Sequence, residues 1–419
     1  MKTVRRTSRT DVSLTAPPSK AHTLRALFIS ALADGRSVIR RPLLGDDQRR
    51  AVDCLRMLGV SVEEAPGALT VTGCGGQFEP VSDLLDVGES GVGANFLIAM
   101  ACLAARPVTV TGAPRITERP VGELASGLRQ LGCRVDYLGR DGFPPVRVHG
   151  GGIPGGTAAI RGDTMSQYHS AILAAAPCAR TPVILRCTTD MAEKPYVAIT
   201  LSMMEQAGIP VAQKDFSEFA VPAGSAYRPL DLTIEGDYSS ASFFFAAAAV
   251  CGIRVAVGGL SRDSVQGDRR FLKLVERMGC SVEPLPTGFA VTGGPLDGLE
   301  VDMADTPDLV PPLAVTAAFA RGTTRLRNVA HLRHKECDRG AVLVSELAKM
   351  GVHAACDGST LEVHGGRAPH GSRIDPHNDH RIAMSFAIAG LATGDQVIEN
   401  EGCVAKSFPD FWDRLRCFE

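Results

Sequence analysis

Residues 56–64 read RMLGVSVEE, residues 129–137 RQLGCRVDY, residues 205–213 EQAGIPVAQ, residues 276–284 ERMGCSVEP and residues 348–356 AKMGVHAAC. Each phrase joins the end of a helix to a glycine, an apolar residue and the start of a strand. The glycines, Gly59, Gly132, Gly208, Gly279 and Gly351, follow one another at 73, 76, 71 and 72 residues, a spacing that marks a repeated supersecondary unit. Ahead of them, Val121, Leu124, Leu128 and Leu131 mark one apolar stripe, and Phe271, Leu274, Val275 and Met278 another, at the period of an amphipathic helix. A glycine just past the last turn suits a left-handed helix cap. Downstream, LTVTGCGG, VRVHGGG, FAVPAG, FAVTGG and LEVHGG alternate and end in glycine, as second strands of hairpins do.

At about 72 residues per unit, 419 residues hold nearly six units, but only five phrases are complete. The sixth helix, residues 408–417 (FPDFWDRLRC), meets the C-terminus where its strands should begin. The N-terminus offers an unattached strand pair instead, TVRRTSRT and DVSLTA. The sixth unit is therefore expected to be split between the termini. Six units around one core would exceed the usual size of a domain, so the reading is an α/β fold of two lobes with three units each. Lobe one would join residues 1–18 to 229–419, and lobe two would be 19–228. The crossings would fall near Pro17-Pro18 and near SAYRPLD, with the site in the cleft between lobes.

Composition sets the outer limits. Hydrophobic residues make up 45% and charged residues 21%, as in ordinary globular chains, and the net charge of −2 does not steer the chain toward nucleic acid or an anionic membrane. The basic start MKTVRRTSRTDVSL lacks the apolar stretch of a secretory signal, and no apolar run approaches a membrane span. Twelve cysteines are scattered without a CxxC pair, which fits small buried thiols in a reducing compartment, so the expected location is the cytoplasm.

Charged or small polar segments precede several helices: PPSKAHTLR, GESGVG, PRITERP, GDTMSQYH, MAEKPY, KECDR, PHNDHR and VAKSFPD. Helix N-termini carry free N–H groups and the positive end of the dipole, so anions favour them. Lys20, Arg25, Arg119, Lys335, Arg339, Arg381 and Lys406 all fall in these segments. Taken singly each is an ordinary solvated charge; their recurrence at equivalent places marks the set as an anion site. No P-loop, dinucleotide fingerprint or GxSxG elbow is present. His331, His334 and Glu336, with His377, Asp379 and His380, have no recognised metal spacing and sit beside Arg333, Lys335 and Arg381, so no metal is expected.

With these segments in view the chain resembles the enolpyruvyl transferase family, in its EPSP-synthase-type branch, over essentially its whole length. The motifs are PPSKAHTLRAL, GAPRITERPVG, the pair Ser166-Gln167, EKPYVAITL, EGDYSSASFFFAAAA, QGDRRF, LRNVAHLRHKECDR, HNDHRIAMSFAIAG and AKSFPDF. The catalytic-loop cysteine of the sister branch acting on UDP-N-acetylglucosamine has no equivalent here. The resemblance implies two lobes of three βαβαββ units closing over phosphoenolpyruvate and an acceptor alcohol. It also implies transfer of the enolpyruvyl group with release of phosphate, through a tetrahedral ketal. Phosphoenolpyruvate carries two anionic groups and needs several fixed cations. By resemblance these are Lys20, Arg119, Arg339, Arg381 and Lys406, helped by Gly91 and Gln167. Catalysis is implied for Lys20, Asp308, Glu336 and Lys335, the two carboxylates moving protons. Acceptor binding is implied for Arg25, Ser166, Gln167, Glu193, Tyr196, Asp308, His331 and Lys335. No cofactor, nucleic acid or membrane is implied, and a monomer is expected.

The acceptor pocket departs from the family. Ala21 replaces a serine, residues 89–95 (ESGVGAN) replace the NAGTAMR loop, Met165 and Glu193 replace serines that hold the phosphate of shikimate 3-phosphate, and His331 replaces an asparagine. Glu193 pointing inward would repel a phosphate; turned outward it would pair with Lys194 or Arg186. Shikimate 3-phosphate is the default acceptor. The alternatives are a specialised-metabolism paralogue acting on another hydroxyl, such as the 3′-OH of a nucleotide like UMP, and a non-catalytic ligand-binding relative.

Overall fold

The five repeated glycines all lie at a left-handed φ, between 79° and 117°, immediately after a helix. The helices are Asp46–Met57, Gly122–Gln130, Lys194–Gln206, Arg270–Met278 and Arg339–Lys349. Close approach adds to the requirement: a Cβ on Gly59 would lie 2.4 Å from the Glu79 carbonyl oxygen, and one on Gly279 2.2 Å from that of Pro295. Each glycine turns the chain into an antiparallel hairpin, for instance Ser61–Ala65 with Ala68–Cys74 and Ser281–Leu285 with Gly288–Thr292.

The computed structural model describes residues 1–419 and divides into two compact units, Met1–Ser19 with Glu235–Glu419, and Lys20–Ile234. Each unit carries three small sheets. In five of the six, a parallel pair is extended by an antiparallel hairpin, giving four strands. The sixth has three strands: Arg373–Ile374 runs parallel to Gln396–Ile398, and Lys2–Val4 pairs antiparallel on the other side.

Two sequence expectations need correction here. The N-terminal strands do not form a pair. Lys2–Val4 completes the sixth sheet, whereas Asp11–Thr15 runs parallel to Arg254–Gly258 in another sheet. The second crossing lies at Ile234–Glu235, just beyond SAYRPLD, because Asp231–Thr233 still pairs in parallel with Asp34–Arg40 of the Lys20–Ile234 unit. Each parallel partner is thus borrowed from the chain leaving the neighbouring repeat. The last helix is also shorter than expected: only Phe411–Leu415 is α-helical, followed by a 3-10 turn at Arg416–Phe418.

Three further helices in each unit are buried on nearly every side. In the Lys20–Ile234 unit these are Lys20–Leu32, Gly91–Ala101 and Ser166–Ala175; in the other, Tyr238–Cys251, Val310–Ala318 and His380–Thr393. Their sequences explain it, since SASFFFAAAAV and ANFLIAMA have no polar face and such helices belong inside a core. Phe243, Phe244 and Phe245 are all fully enclosed, and burying each contributes about 1.5–3 kcal/mol. The first turns of these inner helices are where the polar motifs fall. No helix is long and apolar enough to cross a membrane.

Candidate active site

In the Glu235–Glu419 part of its unit, Arg339 organises the charged groups. It opens the Arg339–Lys349 helix and is 1% exposed. Its Nε donates to Asp379 Oδ2 (2.7 Å), Nη1 to Asp308 Oδ1 (2.9 Å), and Nη2 to Glu336 Oε2 (2.8 Å) and Asp379 Oδ1 (3.4 Å). Four of the five guanidinium N–H groups are used. Burial works against this charge, but Asp379, Glu336 and Asp308 together outweigh it and hold the guanidinium well above its ordinary pKa. Two more cations close the cluster: Arg381 Nη2 donates to Asp308 Oδ2 (2.8 Å) and Lys406 Nζ lies 3.2 Å from Glu336 Oε1.

Local structure explains these placements. Asp308 sits in the 3-10 turn Pro307–Leu309 that leads into an inner helix. Asp379 caps His380–Thr393 by accepting from the Arg381 backbone N–H (2.8 Å), which fixes both the carboxylate and the arginine in the first turn of the helix. Lys406 ends the 3-10 stretch Glu401–Lys406. Lys335, 7% exposed, precedes Glu336, and His331 lies in the 3-10 turn Ala330–His334. The structure thus brings together Asp308, Glu336, Arg339, Arg381 and Lys406. Asp379 is the member that motif reading passed over as a metal candidate. An Asp directly ahead of an apolar helical run is an N-cap signal that would have found it.

In the Lys20–Ile234 unit the corresponding residues again start the inner helices. Lys20 is the first residue of its helix, and its Nζ lies 2.7 Å from Asp47 Oδ2. Arg25, 2% exposed, donates to Thr200 Oγ1 (2.6 Å), the Ala21 carbonyl (3.1 Å) and the Tyr196 carbonyl (3.0 Å), and lies over the Phe96 ring. Burial pulls it down to about 10, so it stays charged at neutral pH. Gly91 opens Gly91–Ala101, capped by the Ser90 side chain. Arg119 is 7% exposed, yet its guanidinium makes no hydrogen bond and no ion pair. A Cβ on Gly91 would lie 2.3 Å from that guanidinium, so only glycine there leaves Arg119 in place. Gly91, Asn95, Arg119 and Met165 help to line a small open pocket. Gln167 faces it indirectly, accepting from Asn95 Nδ2 at 2.9 Å.

Glu193 points inward. It sits at φ 56°, 1% exposed, as the N-cap residue of Lys194–Gln206, and its Oε2 accepts from the backbone N–H (3.2 Å) and hydroxyl (2.9 Å) of Ser166. The outward pairing with Arg186 is not made; that arginine pairs with Glu218 at 2.6 Å. The carboxylate therefore occupies the N-terminus of Ser166–Ala175, where Met165 supplies no side-chain cap. Tyr196 follows in the first turn of the next helix and contributes its carbonyl to Arg25.

The sequence profile of EPSP synthase (3-phosphoshikimate 1-carboxyvinyltransferase) matches residues 4–415. The chain belongs to the EPSP synthase family. Among its family relatives, a protein of Methanoculleus marisnigri named 3-phosphoshikimate 1-carboxyvinyltransferase is 45% identical over 415 residues, covering 98% of each chain. One of the same name from Vibrio atlanticus is 37% identical, over 96% of this chain and 95% of its own. A solved EPSP synthase from Acinetobacter baumannii superimposes with a TM-score of 0.81 at 26% identity, covering 99% of this chain and 97% of that one. The family's two-lobed α/β architecture accords with the three sheets and three inner helices found in each unit.

Proposed function

We propose that this chain is a carboxyvinyltransferase that moves the enolpyruvyl group of phosphoenolpyruvate onto a hydroxyl of shikimate 3-phosphate, the acceptor in the name its relatives carry. The observation that carries the reading is the Asp308–Arg339–Glu336–Lys406 cluster, two carboxylates held on one guanidinium with a lysine against the second. The acceptor oxygen forms a bond to C2 of phosphoenolpyruvate while its proton leaves to a carboxylate, and C3 takes up a proton. The resulting ketal then loses a proton from C3 as the C2–O bond to phosphate breaks. We assign these proton movements to Asp308 and Glu336, both fixed in place by charge-assisted bonds, and assistance to Lys20 and Lys335.

Donor binding is assigned to Lys20, Gly91, Arg119, Gln167, Arg339, Arg381 and Lys406, and acceptor binding to Arg25, Ser166, Gln167, Glu193, Tyr196, Asp308, His331 and Lys335. We place the enzyme in the cytoplasm as a monomer acting without a cofactor. Twelve free cysteines, nine of whose thiols burial or neighbours hold off their ordinary pKa, suit a reducing compartment.

Phosphate release from phosphoenolpyruvate, measured with and without shikimate 3-phosphate, tests this. Turnover that requires the acceptor supports the assignment; no release with shikimate 3-phosphate or any other alcohol overturns it in favour of a non-catalytic ligand-binding relative. A second reading, a different acceptor alcohol such as a nucleotide 3′-OH, draws on one observation. The buried Glu193 carboxylate already fills the end of Ser166–Ala175, and at ~4 Å with an effective dielectric near 20 it would oppose a phosphate charge by about 4 kcal/mol. The same assay with a panel of alcohols separates the two readings.

A further inference from the structure

The QGDRRF stretch, residues 266–271, has no part in the reaction above, yet it carries a carboxyl group, Asp268, that the fold encloses. Gln266 ties this segment to the loop ahead of Tyr238–Cys251. Its Nε2 donates to Glu235 Oε1 (2.7 Å) and the Gly236 carbonyl (2.8 Å), and its Oε1 accepts from the Tyr238 backbone N–H (2.9 Å). The tie sets Asp268, in the 3-10 turn Gly267–Arg269, against Ser239, with whose side chain it shares a hydrogen bond. Asp268 is 5% exposed.

Ser239 is committed on both sides. Its oxygen accepts from Arg381 Nη1, so its own proton is directed to Asp268. Arg381 Nη2 donates to Asp308 Oδ2 at 2.8 Å. A connected line runs from Asp268 through Ser239 and Arg381 to Asp308, with two carboxyl groups flanking one guanidinium. The charges facing Asp268 are Asp308 ahead of Val310–Ala318, Arg381 in His380–Thr393, and Asp237, which caps Tyr238–Cys251 through the Ser240 backbone N–H at 3.0 Å. Arg339 lies one link further, on Asp308. Burial, then the Asp308 carboxylate, push Asp268 up to about 7 against the pull of Arg381 and the Ser239 hydrogen bond.

We propose that Asp268 is a positioning residue for Arg381: while it carries its proton the guanidinium is left to Asp308 and the anionic donor, and when it ionises it draws that guanidinium toward Ser239 and adds a negative charge behind the donor site. The inference rests on the assignment of Arg381 to phosphoenolpyruvate binding. The test is phosphoenolpyruvate affinity by calorimetry between pH 5.5 and 9, in the unmodified protein and in Asp268→Asn, whose amide imitates the protonated acid. Affinity in the unmodified protein should fall about three- to tenfold as pH rises through 7, and Asp268→Asn should match it below pH 6 and lack that fall. Identical pH profiles overturn the proposal. If Asp268→Asn does not fold, ¹³C NMR of the aspartate carboxyls of the unmodified protein decides: one group titrating near pH 7 is expected, and all of them titrating below pH 5 is the contrary result. Failure of the unmodified protein to bind phosphoenolpyruvate at any pH would strike the functional assignment instead, and the carboxyl titration would still judge Asp268.

Discussion

Replacing Arg339 with alanine should cost the fold more than it costs any single ligand contact. The side chain is enclosed, and four hydrogen bonds run from it to three carboxylates. None of the three is abandoned completely by the substitution. Asp308 keeps Arg381, Glu336 keeps Lys406, and Asp379 keeps the Arg381 backbone N–H. The cost is therefore that of breaking one buried pair, about 3–5 kcal/mol, rather than three times that figure. For a unit of about 200 residues, at roughly 2–4 °C per kcal/mol, the expected fall in Tm is about 6–20 °C. Differential scanning calorimetry of the ligand-free protein reads it directly. If the two units melt separately, the shift belongs to the transition of Met1–Ser19 with Glu235–Glu419. A Tm within about 2 °C of the unmodified protein would refute the idea that Arg339 holds this cluster together.

Arg119→Ala should behave in the opposite way, because that guanidinium makes no hydrogen bond or ion pair within the chain. Calorimetric titration should show phosphoenolpyruvate binding weakened about 10- to 100-fold, the loss of one charge-assisted contact, with Tm unchanged. His169 supplies a pH prediction. Burial drops its pKa to about 4 against 6.5 when unfolded, so the unfolded chain binds the extra proton between those values and stability falls as pH falls through that window. At pH 5 the loss is about 2 kcal/mol relative to pH 7, and chemical denaturation at the two pH values should show it for the unmodified protein and a smaller loss for His169→Leu.

The repeat was legible because glycine at a positive φ after a helix is a local requirement that five units meet in the same way. Gly59, Gly132, Gly208, Gly279 and Gly351 need no distant partner to be recognised. Strand pairing was less legible for the opposite reason. Asp11–Thr15 and Asp231–Thr233 are three to five residues long and carry no pattern that distinguishes one sheet from another; their partners are chosen by how the chain passes from repeat to repeat. Among the site residues, charge type and position ahead of a helix were visible, while burial and orientation were not. The inward turn of Glu193 depends on Ser166, 27 residues away, and the enclosure of Asp268 depends on Gln266 reaching back about 30 residues to Gly236.

Orientation also decides which cations are electrically available. Arg339, Arg381 and Lys406 face Asp308, Glu336 and Asp379 in a nearly neutral cluster, and Lys20 is matched by Asp47. Arg25 donates only to neutral oxygens, and Arg119 donates to none. An incoming phosphate or carboxylate gains full Coulomb attraction only from a charge that no protein carboxylate already screens. On the proposed reading, Arg119, one of the enclosed cations without a carboxylate and beside a pocket that Gly91 keeps clear, would therefore be the anchor for the donor's affinity. On the same reading the neutral cluster would have a different use. Its carboxylates are held at fixed positions by bonds to cations, which is what proton transfer at two adjacent carbons requires, and its cations become available to the donor only as those bonds are shared.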